Sequence, residues 1–317
     1  MDLKKIISRL IPAVIKRTII KEMMLPPLKI SGGETEHRLL PTAVVTRAYN
    51  RLEYTIQCVD SQAQQKTRVP HIHLIIDQAS DDGTEQWFHW IYRMDKSYWR
   101  NIGYVRLARN IGDFGGLALG LSIINDKYKR IMQLDNDIKL ISPDTIENLN
   151  YALDLLPGDS IVMCRRLGAG CAQGRTGGNV PLKRQSRVRR IKLPHGTSRI
   201  YMVNHPVACY LCSRELLIRA IENGCDAACR LADSLVPKAT TYKLHDVAAE
   251  HIQGWDGQRF LQHEKYYSGS TDGGAPYSVL APSEIMREPI SFIKYVLPPK
   301  SDSEWLRPEL ADKLDRP

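Results

Sequence analysis

The chain has 317 residues, 43% hydrophobic and 25% charged, with a formal net charge of +9. That balance excludes a charge-dominated disordered chain and leaves room for one sizeable core or two modest ones. Seven cysteines, an odd number, argue against a secreted disulfide framework, and the positive charge favours anionic partners: a nucleotide diphosphate, an anionic lipid surface, a phosphorylated acceptor or nucleic acid.

Residues 1–24 predict a basic amphipathic helix, with Leu3, Ile6, Ile7, Leu10, Ile11 and Val14 on one face and Lys5, Arg9 and Lys16 opposite. Its apolar runs fall far short of the ~20 residues that span a bilayer. Such a helix lies in a membrane interface or packs on the domain or a partner subunit, and Pro12 interrupts it. Pro26-Pro27 ends this segment, and residues 31–38 form a polar linker.

Three strand-turn-helix units follow. Thr42-Ala43-Val44-Val45-Thr46 runs into Arg47-Ala48-Tyr49-Asn50-Arg51, and residues 52–65 predict a helix. Ile72-His73-Leu74-Ile75-Ile76-Asp77 runs into Ser80-Asp81-Asp82-Gly83-Thr84, whose residues form turns and helix caps, with Trp87, Phe88 and Ile91 on the helix after it. Tyr104-Val105-Arg106-Leu107 leads through Arg109-Asn110-Ile111-Gly112 to an apolar helix over residues 117–124. Short apolar strands alternating with helices predict βαβ units and a parallel sheet. The apolar strand from Arg130 then ends in Asp135-Asn136-Asp137, two carboxylates at the rim of the sheet, where α/β folds bind ligands. Hard oxygen ligands suit Mg²⁺ or Mn²⁺, which are held by one or two carboxylates together with substrate phosphates.

The ordered set Asn50-Arg51, Asp77 with Ser80-Asp81-Asp82-Gly83-Thr84, Arg109-Asn110-Ile111-Gly112 and Asp135-Asn136-Asp137 resembles the family 2 glycosyltransferases, which have the GT-A fold. The resemblance covers residues 40–140 well and 199–254 more loosely. It implies an α/β, GT-A-like (Rossmann-like) mixed, mostly parallel sheet with helices on both faces over residues 39–255, preceded by the basic helical segment and linker (1–38) and followed by an accessory region (256–317). The implied activity is inverting transfer of a sugar from a UDP- or dTDP-sugar to a hydroxyl of a glycan or lipid-linked acceptor, with Mn²⁺ or Mg²⁺. Asp137 would ligate the metal, His251 would complete the metal site or contact the diphosphate, and Asp135 would reach the metal through water or hold the ribose. Asn50, Arg51, Asp77, Asp81, Arg109, Asn110 and Gly112 would line the nucleotide, with Asp77 accepting from a pyrimidine or ribose and Arg109 pairing with the diphosphate. In the looser region Asp226 falls near the family's acidic pair and would serve as general base. Cys225 stands where the family has Glu, and Asp233 and Asp246 are the fallback carboxylates. A base is needed because an acceptor hydroxyl is a weak nucleophile until its proton is removed.

Residues 168–178 are glycine-rich, and 183–192 hold six basic residues in ten, readable as a mobile loop, an acceptor or membrane contact, or a nucleic-acid patch, though no recognised nucleic-acid motif accompanies them. Cys209-Tyr210-Leu211-Cys212 and Cys225-Asp226-Ala227-Ala228-Cys229 invite a zinc reading. Against it, residues 207–212 read as a buried strand, on which positions three apart face opposite ways. Ser268 to Gly274 reads as a loop, and Ile290, Ile293 and Val296 form an apolar stripe for core, dimer or membrane contact. Two alternatives stand beside the enzyme: a sugar-phosphate nucleotidyltransferase, whose glycine-rich loop after the first strand is absent here, and a noncatalytic polyanion- or membrane-binding protein on the same fold. The expected location is cytoplasmic, peripheral on the inner face of a membrane through residues 1–24. Oligomeric state is open.

Overall fold

The computed structural model describes residues 39–94, 97–167, 189–252 and 280–314. The expected helix at 1–24, the glycine-rich stretch 168–178, the first part of the basic run and the loop at 268–274 lie outside the described residues.

The described residues form an 11-stranded sheet in the order β11-β3-β2-β1-β4-β9-β6-β10-β8-β7, with β5 pairing to β10. Its strands are β1 (Thr42–Ala48), β2 (His71–Asp77), β3 (Ile102–Leu107), β4 (Arg130–Asp135), β5 (Ile138–Leu140), β6 (Ser160–Leu167), β7 (Arg189–Leu193), β8 (Gly196–Val203), β9 (Cys209–Ser213), β10 (Thr240–His251) and β11 (Ile293–Leu297). The helices are α1 (Leu52–Ala63), α2 (Thr84–Met94), α3 (Asp113–Ile123), α4 (Thr145–Leu155), α5 (Arg214–Glu222), α6 (Pro282–Arg287) and α7 (Pro308–Ala311).

The expected mixed α/β sheet is present, but it is not mostly parallel. Parallel pairing is confined to β3-β2-β1-β4, the product of the three βαβ units, and to β6-β10. Elsewhere β9 lies antiparallel between β4 and β6, and β7-β8 is a hairpin whose two-residue connection allows no crossover.

Alternation along the strands divides the core. Val45, Ile72, Leu74 and Ile76 face α3 and α5, while Val44, Met132 and Leu134 face the opposite cluster with α4 residues Ile146 and Leu149. Helix α3 is apolar all round and buried along nearly its whole length, as a central helix must be. Its Gly120 lies so close to β1 that a Cβ there would stand 3.0 Å from Val45 Cγ1. Each fully buried Leu or Ile here contributes about 1.5–3 kcal/mol.

The described part of the C-terminal segment joins the sheet and the core. Strand β11 pairs with β3, the Trp99 indole donates to Pro298 O (2.9 Å), and Trp305, Leu306 and Leu310 complete the main core. The expected stripe is therefore core: Val296 is buried, and Ile290 and Ile293 pack against the same cluster. Its apolar face could be assigned only once β3 was known to be an open edge.

Candidate functional site

Strands β1, β2, β3 and β4 end together, and their connecting loops are stitched to one another. The Asn50 N–H donates to Ser80 Oγ (2.8 Å), the Asp81 N–H to Asn50 Oδ1 (2.8 Å), and the Leu52 N–H to Asp82 Oδ2 (2.7 Å), so a carboxylate from the second loop caps α1. Four non-glycine residues take left-handed backbone here: Asn50 (φ 55°), Arg51 (φ 63°), Ala79 (φ 62°) and Ala208 (φ 57°). Such conformations cost roughly 1–3 kcal/mol each and gather where function fixes the backbone. Ala208 sits beside the carboxylate loop, its carbonyl accepting from the Asp135 N–H (2.9 Å).

Asp137 and His251 are brought together although 114 positions separate them. Strand β10 runs antiparallel to β5, setting His251 opposite Ile138, and the Ile252 N–H donates to Asp137 O (2.9 Å). His251 Nε2 lies 3.4 Å from Asp137 Oδ2, and Arg51 Nη1 donates to the same oxygen at 3.0 Å while its Nη2 donates to Asn136 Oδ1 at 3.0 Å. Burial acts to raise the Asp137 carboxyl, but Arg51 and His251 outweigh it and hold the group below the usual carboxylate range. Its other oxygen, Oδ1, is buried with no hydrogen-bond partner. An ionised carboxylate with one buried oxygen unspent fits a cation.

Asp135 points elsewhere, accepting from Gln133 Nε2 (2.7 Å) and pairing with Arg47, which also binds Asp113 (2.8 Å). Burial pushes the Asp135 carboxyl up to about 7, Arg47 opposes this, and the Asp113 and Asp137 carboxylates add to it. Asp135, Asp137 and His251 are thus not gathered into one cluster: among the described residues no group of three or more His, Cys, Asp or Glu is arranged to hold a metal. Asp137 and His251 are the two side chains at this rim that could ligate a cation, which phosphate and water would complete. The zinc reading finds no support either, since Cys209 and Cys212 face opposite sides of β9.

The other expected nucleotide residues divide. Asp77 is fully buried and turned inward: Oδ1 accepts from the Ser80 N–H (3.0 Å) and Ser80 Oγ (2.6 Å), and Oδ2 from Tyr104 and Arg106 (2.5 Å). It pins the loop from below. Asn110 shapes its turn by accepting from the Gly112 N–H (2.8 Å), and Gly112 (φ 84°) caps α3. Arg109 is exposed, with its guanidinium 5.5 Å from the Phe292 ring. Asp226 lies apart, half exposed and paired with Arg230 at 3.0 Å. Asp233 pairs with Lys238 and Asp246 with Arg199.

Sequence reading missed Arg47 and Asp113. Their only signal was position, one residue near the end of β1 and the other at the first turn of α3. Gly116 makes room for Arg47, since a Cβ there would stand 2.9 Å from Arg47 Cγ.

No protein-family model matches the chain, and no curated protein matches it. Solved structures do. GalNAc-T7 with UDP, GalNAc and Mn²⁺ superposes with a TM-score of 0.53 at 12% identity, over 78% of this chain and 53% of that one. The fold is GT-A-like. Two other similar structures are the mannosyltransferase PcManGT from Pyrobaculum calidifontis in complex with GDP-Man and Mn²⁺ (TM-score 0.49, 15% identity, 87% of this chain and 77% of that one) and S. aureus TarS (0.48, 14%, 68% and 37%). The chain spans about half of GalNAc-T7 and little more than a third of TarS. In the GT-A-like sheet, the loops after β1, β2, β3 and β4 form one rim, with the end of β10 beside it.

Proposed function

We propose that the protein is an inverting glycosyltransferase that moves a sugar from a nucleotide-diphosphate donor, UDP- or dTDP-linked, to a hydroxyl acceptor with the help of Mn²⁺ or Mg²⁺. The observation that carries this reading is Asp137: ionised, buried, with one oxygen unpartnered, 3.4 Å from His251 at the carboxyl rim of a GT-A-like sheet. The ligands of the GalNAc-T7 structure, UDP, GalNAc and Mn²⁺, support the same donor class.

A divalent cation bound there would supply Lewis-acid stabilisation of the charge that grows on the leaving diphosphate. Asp137 and His251 would hold it, with Asp135 reaching it through water or holding the ribose. Arg47 and Arg51 set two guanidinium groups at the same rim, suited to phosphate oxygens. Arg109, on the exposed loop after β3, is the third such group. As the acceptor oxygen attacks the anomeric carbon from the face opposite the leaving group, its proton passes to a carboxylate. Asp226 is the proposed base, and Asp113 is the rival that the fold sets beside Asp135 through Arg47. The protein is proposed to work in the cytoplasm, peripheral on the inner face of a membrane through residues 1–24.

Calorimetric titration with UDP tests the donor reading: heat is expected with Mn²⁺ present and little after chelation. A panel of nucleotide sugars, followed for metal-dependent hydrolysis without acceptor, then identifies the donor. Absence of nucleotide binding in the presence of Mn²⁺ defeats the proposal.

A further inference from the structure

At the amino ends of β2 and β3 lies a cavity of about 340 Å³. It is far from the rim that carries Asp137 and His251: from His71 at the start of β2 to Asp77 at its end is about 20 Å at 3.3 Å per residue. Its volume falls in the range of roughly 300–1,000 Å³ common to small-molecule sites, which are lined mostly by apolar side chains. Here the lining is polar. Asp60 and Gln62 come from α1, His71 from β2, and Tyr98, Arg100 and Asn101 from the loop before β3, while Ala63 and Ile102 are the aliphatic members. Ala63, Ser97 and Arg100 are exposed, so the cavity opens to solvent.

These groups retain hydrogen-bonding capacity of both kinds. Gln62 is 2% exposed, its Oε1 lies 3.1 Å from His73 Nδ1, and its Nε2 is buried with no hydrogen-bond partner. Buried donors are paired in all but a few cases, so this one calls for a partner. His71 Nδ1 donates to Val69 O (3.0 Å), and burial holds the imidazole below its usual range, so the neutral ring keeps Nε2 as an acceptor. The Tyr98 hydroxyl donates to Asp60 Oδ1 (2.5 Å), which fixes the ring and leaves Asp60 Oδ2 to accept. Asn101 Oδ1 accepts from Ser301 Oγ (2.9 Å), which orients the amide and leaves its NH₂ to donate. The formal charges of the lining cancel, Asp60 against Arg100.

This combination selects the occupant. A lipid finds almost no apolar wall, and a phosphate or carboxylate finds one cation already balanced by a carboxylate. A hydroxyl both donates and accepts, so a ring carrying several of them uses mixed donors and acceptors without needing net charge. The Tyr98 ring adds an apolar face for the C–H groups of such a ring. We infer that this cavity is a carbohydrate-binding site, separate from the Asp137–His251 rim, that takes one neutral sugar unit. Binding here requires neither a metal nor a nucleotide, so the site stands whether or not transfer takes place at the rim.

Saturation-transfer NMR on the full-length protein, with glucose, galactose, mannose and N-acetylglucosamine as probes at millimolar concentration, tests the site. At least one of the four is expected to receive saturation with chelator present. Ala63→Trp sets an indole into the cavity from an exposed helix end and should cut that signal by about fivefold or more, because sugar and indole compete for one volume. Asn101→Leu removes a donor without touching α1 and should cut it by about twofold or more. Gln57→Trp, also exposed on α1 but outside the cavity, should leave the signal unchanged. Melting temperatures check that the variants fold, and if Ala63→Trp melts early, Asn101→Leu decides. Silence from all four sugars, an unchanged signal in folded Ala63→Trp or in Asn101→Leu, or an equal loss in Gln57→Trp overturns the inference. So does uridine that binds where the sugars do not and is lost in Ala63→Trp, which would make this a nucleoside site.

Discussion

His73 gives a pH dependence whose size can be worked from the structure. Its ring is fully buried on β2, with Nδ1 3.1 Å from Gln62 Oε1 and Nε2 2.8 Å from Thr46 Oγ1. The Gln62 oxygen only accepts, so Nδ1 carries the proton and Nε2 accepts from the threonine, which satisfies a neutral ring. Burial, with His71 adding to it, pushes the imidazole down to about 3, against 6.5 for the free side chain. The unfolded chain therefore binds a proton below pH 6.5 that the folded chain refuses, and stability falls as pH falls through that window. At pH 5 the loss from this one group is about 2 kcal/mol, rising to about 4 kcal/mol at pH 3. Asp135, pushed up to about 7, works in the opposite sense: its contribution is lost as pH rises toward 7, so the raw slope of the wild type mixes the two. The difference between wild type and His73→Gln isolates the imidazole. Urea unfolding with chelator present, at pH 7.5 and pH 5, should show the wild type losing about 2 kcal/mol more than the variant on acidification. Parallel profiles would refute the buried neutral imidazole.

Asp137→Ala should abolish Mn²⁺-dependent UDP binding with an unchanged circular dichroism spectrum, and turnover that persists in excess chelator would count against the metal role. Asp226→Asn and Asp113→Asn, compared side by side, decide the base: the true one keeps donor affinity and melting temperature while turnover drops by about 10²-fold or more, and normal turnover in both returns attention to Asp233 and Asp246. Gly116→Ala should cost about 1–3 kcal/mol and weaken donor binding, because the new methyl displaces Arg47 from Asp135; an unchanged melting temperature and affinity would show that Arg47 yields freely. Deleting residues 1–24 should reduce co-sedimentation with anionic vesicles, and unchanged co-sedimentation removes the membrane contact.

The nucleotide half was legible because its signals are local. Runs such as Ile72-His73-Leu74-Ile75-Ile76 are apolar, short and closed by turn formers, and the helices between them are long enough to force parallel crossovers. Asp135-Asn136-Asp137 could be placed at a strand end on the same grounds. Helix α3 begins at Asp113, before the expected residue 117, because Asp113-Phe114-Gly115-Gly116 reads as loop locally; burial against β1, where glycine permits close approach, makes those residues its first turn. Asp77, by type and position, matches a ligand-facing carboxylate. Residue type and strand end could not reveal that Ser80, Tyr104 and Arg106 converge on its two oxygens.

The sequence alone determined which residue types stand at the ends of the first four strands, since turn chemistry and apolar periodicity act over a few residues. The tertiary structure decided which of them meet. His251 reaches Asp137 because β10 pairs with β5, Arg47 joins Asp135 to Asp113 because α3 lies on β1, and β11 closes the edge left open by β3. Those pairings are set by packing between segments far apart in the chain, where burial of both faces, and not local propensity, selects the partner.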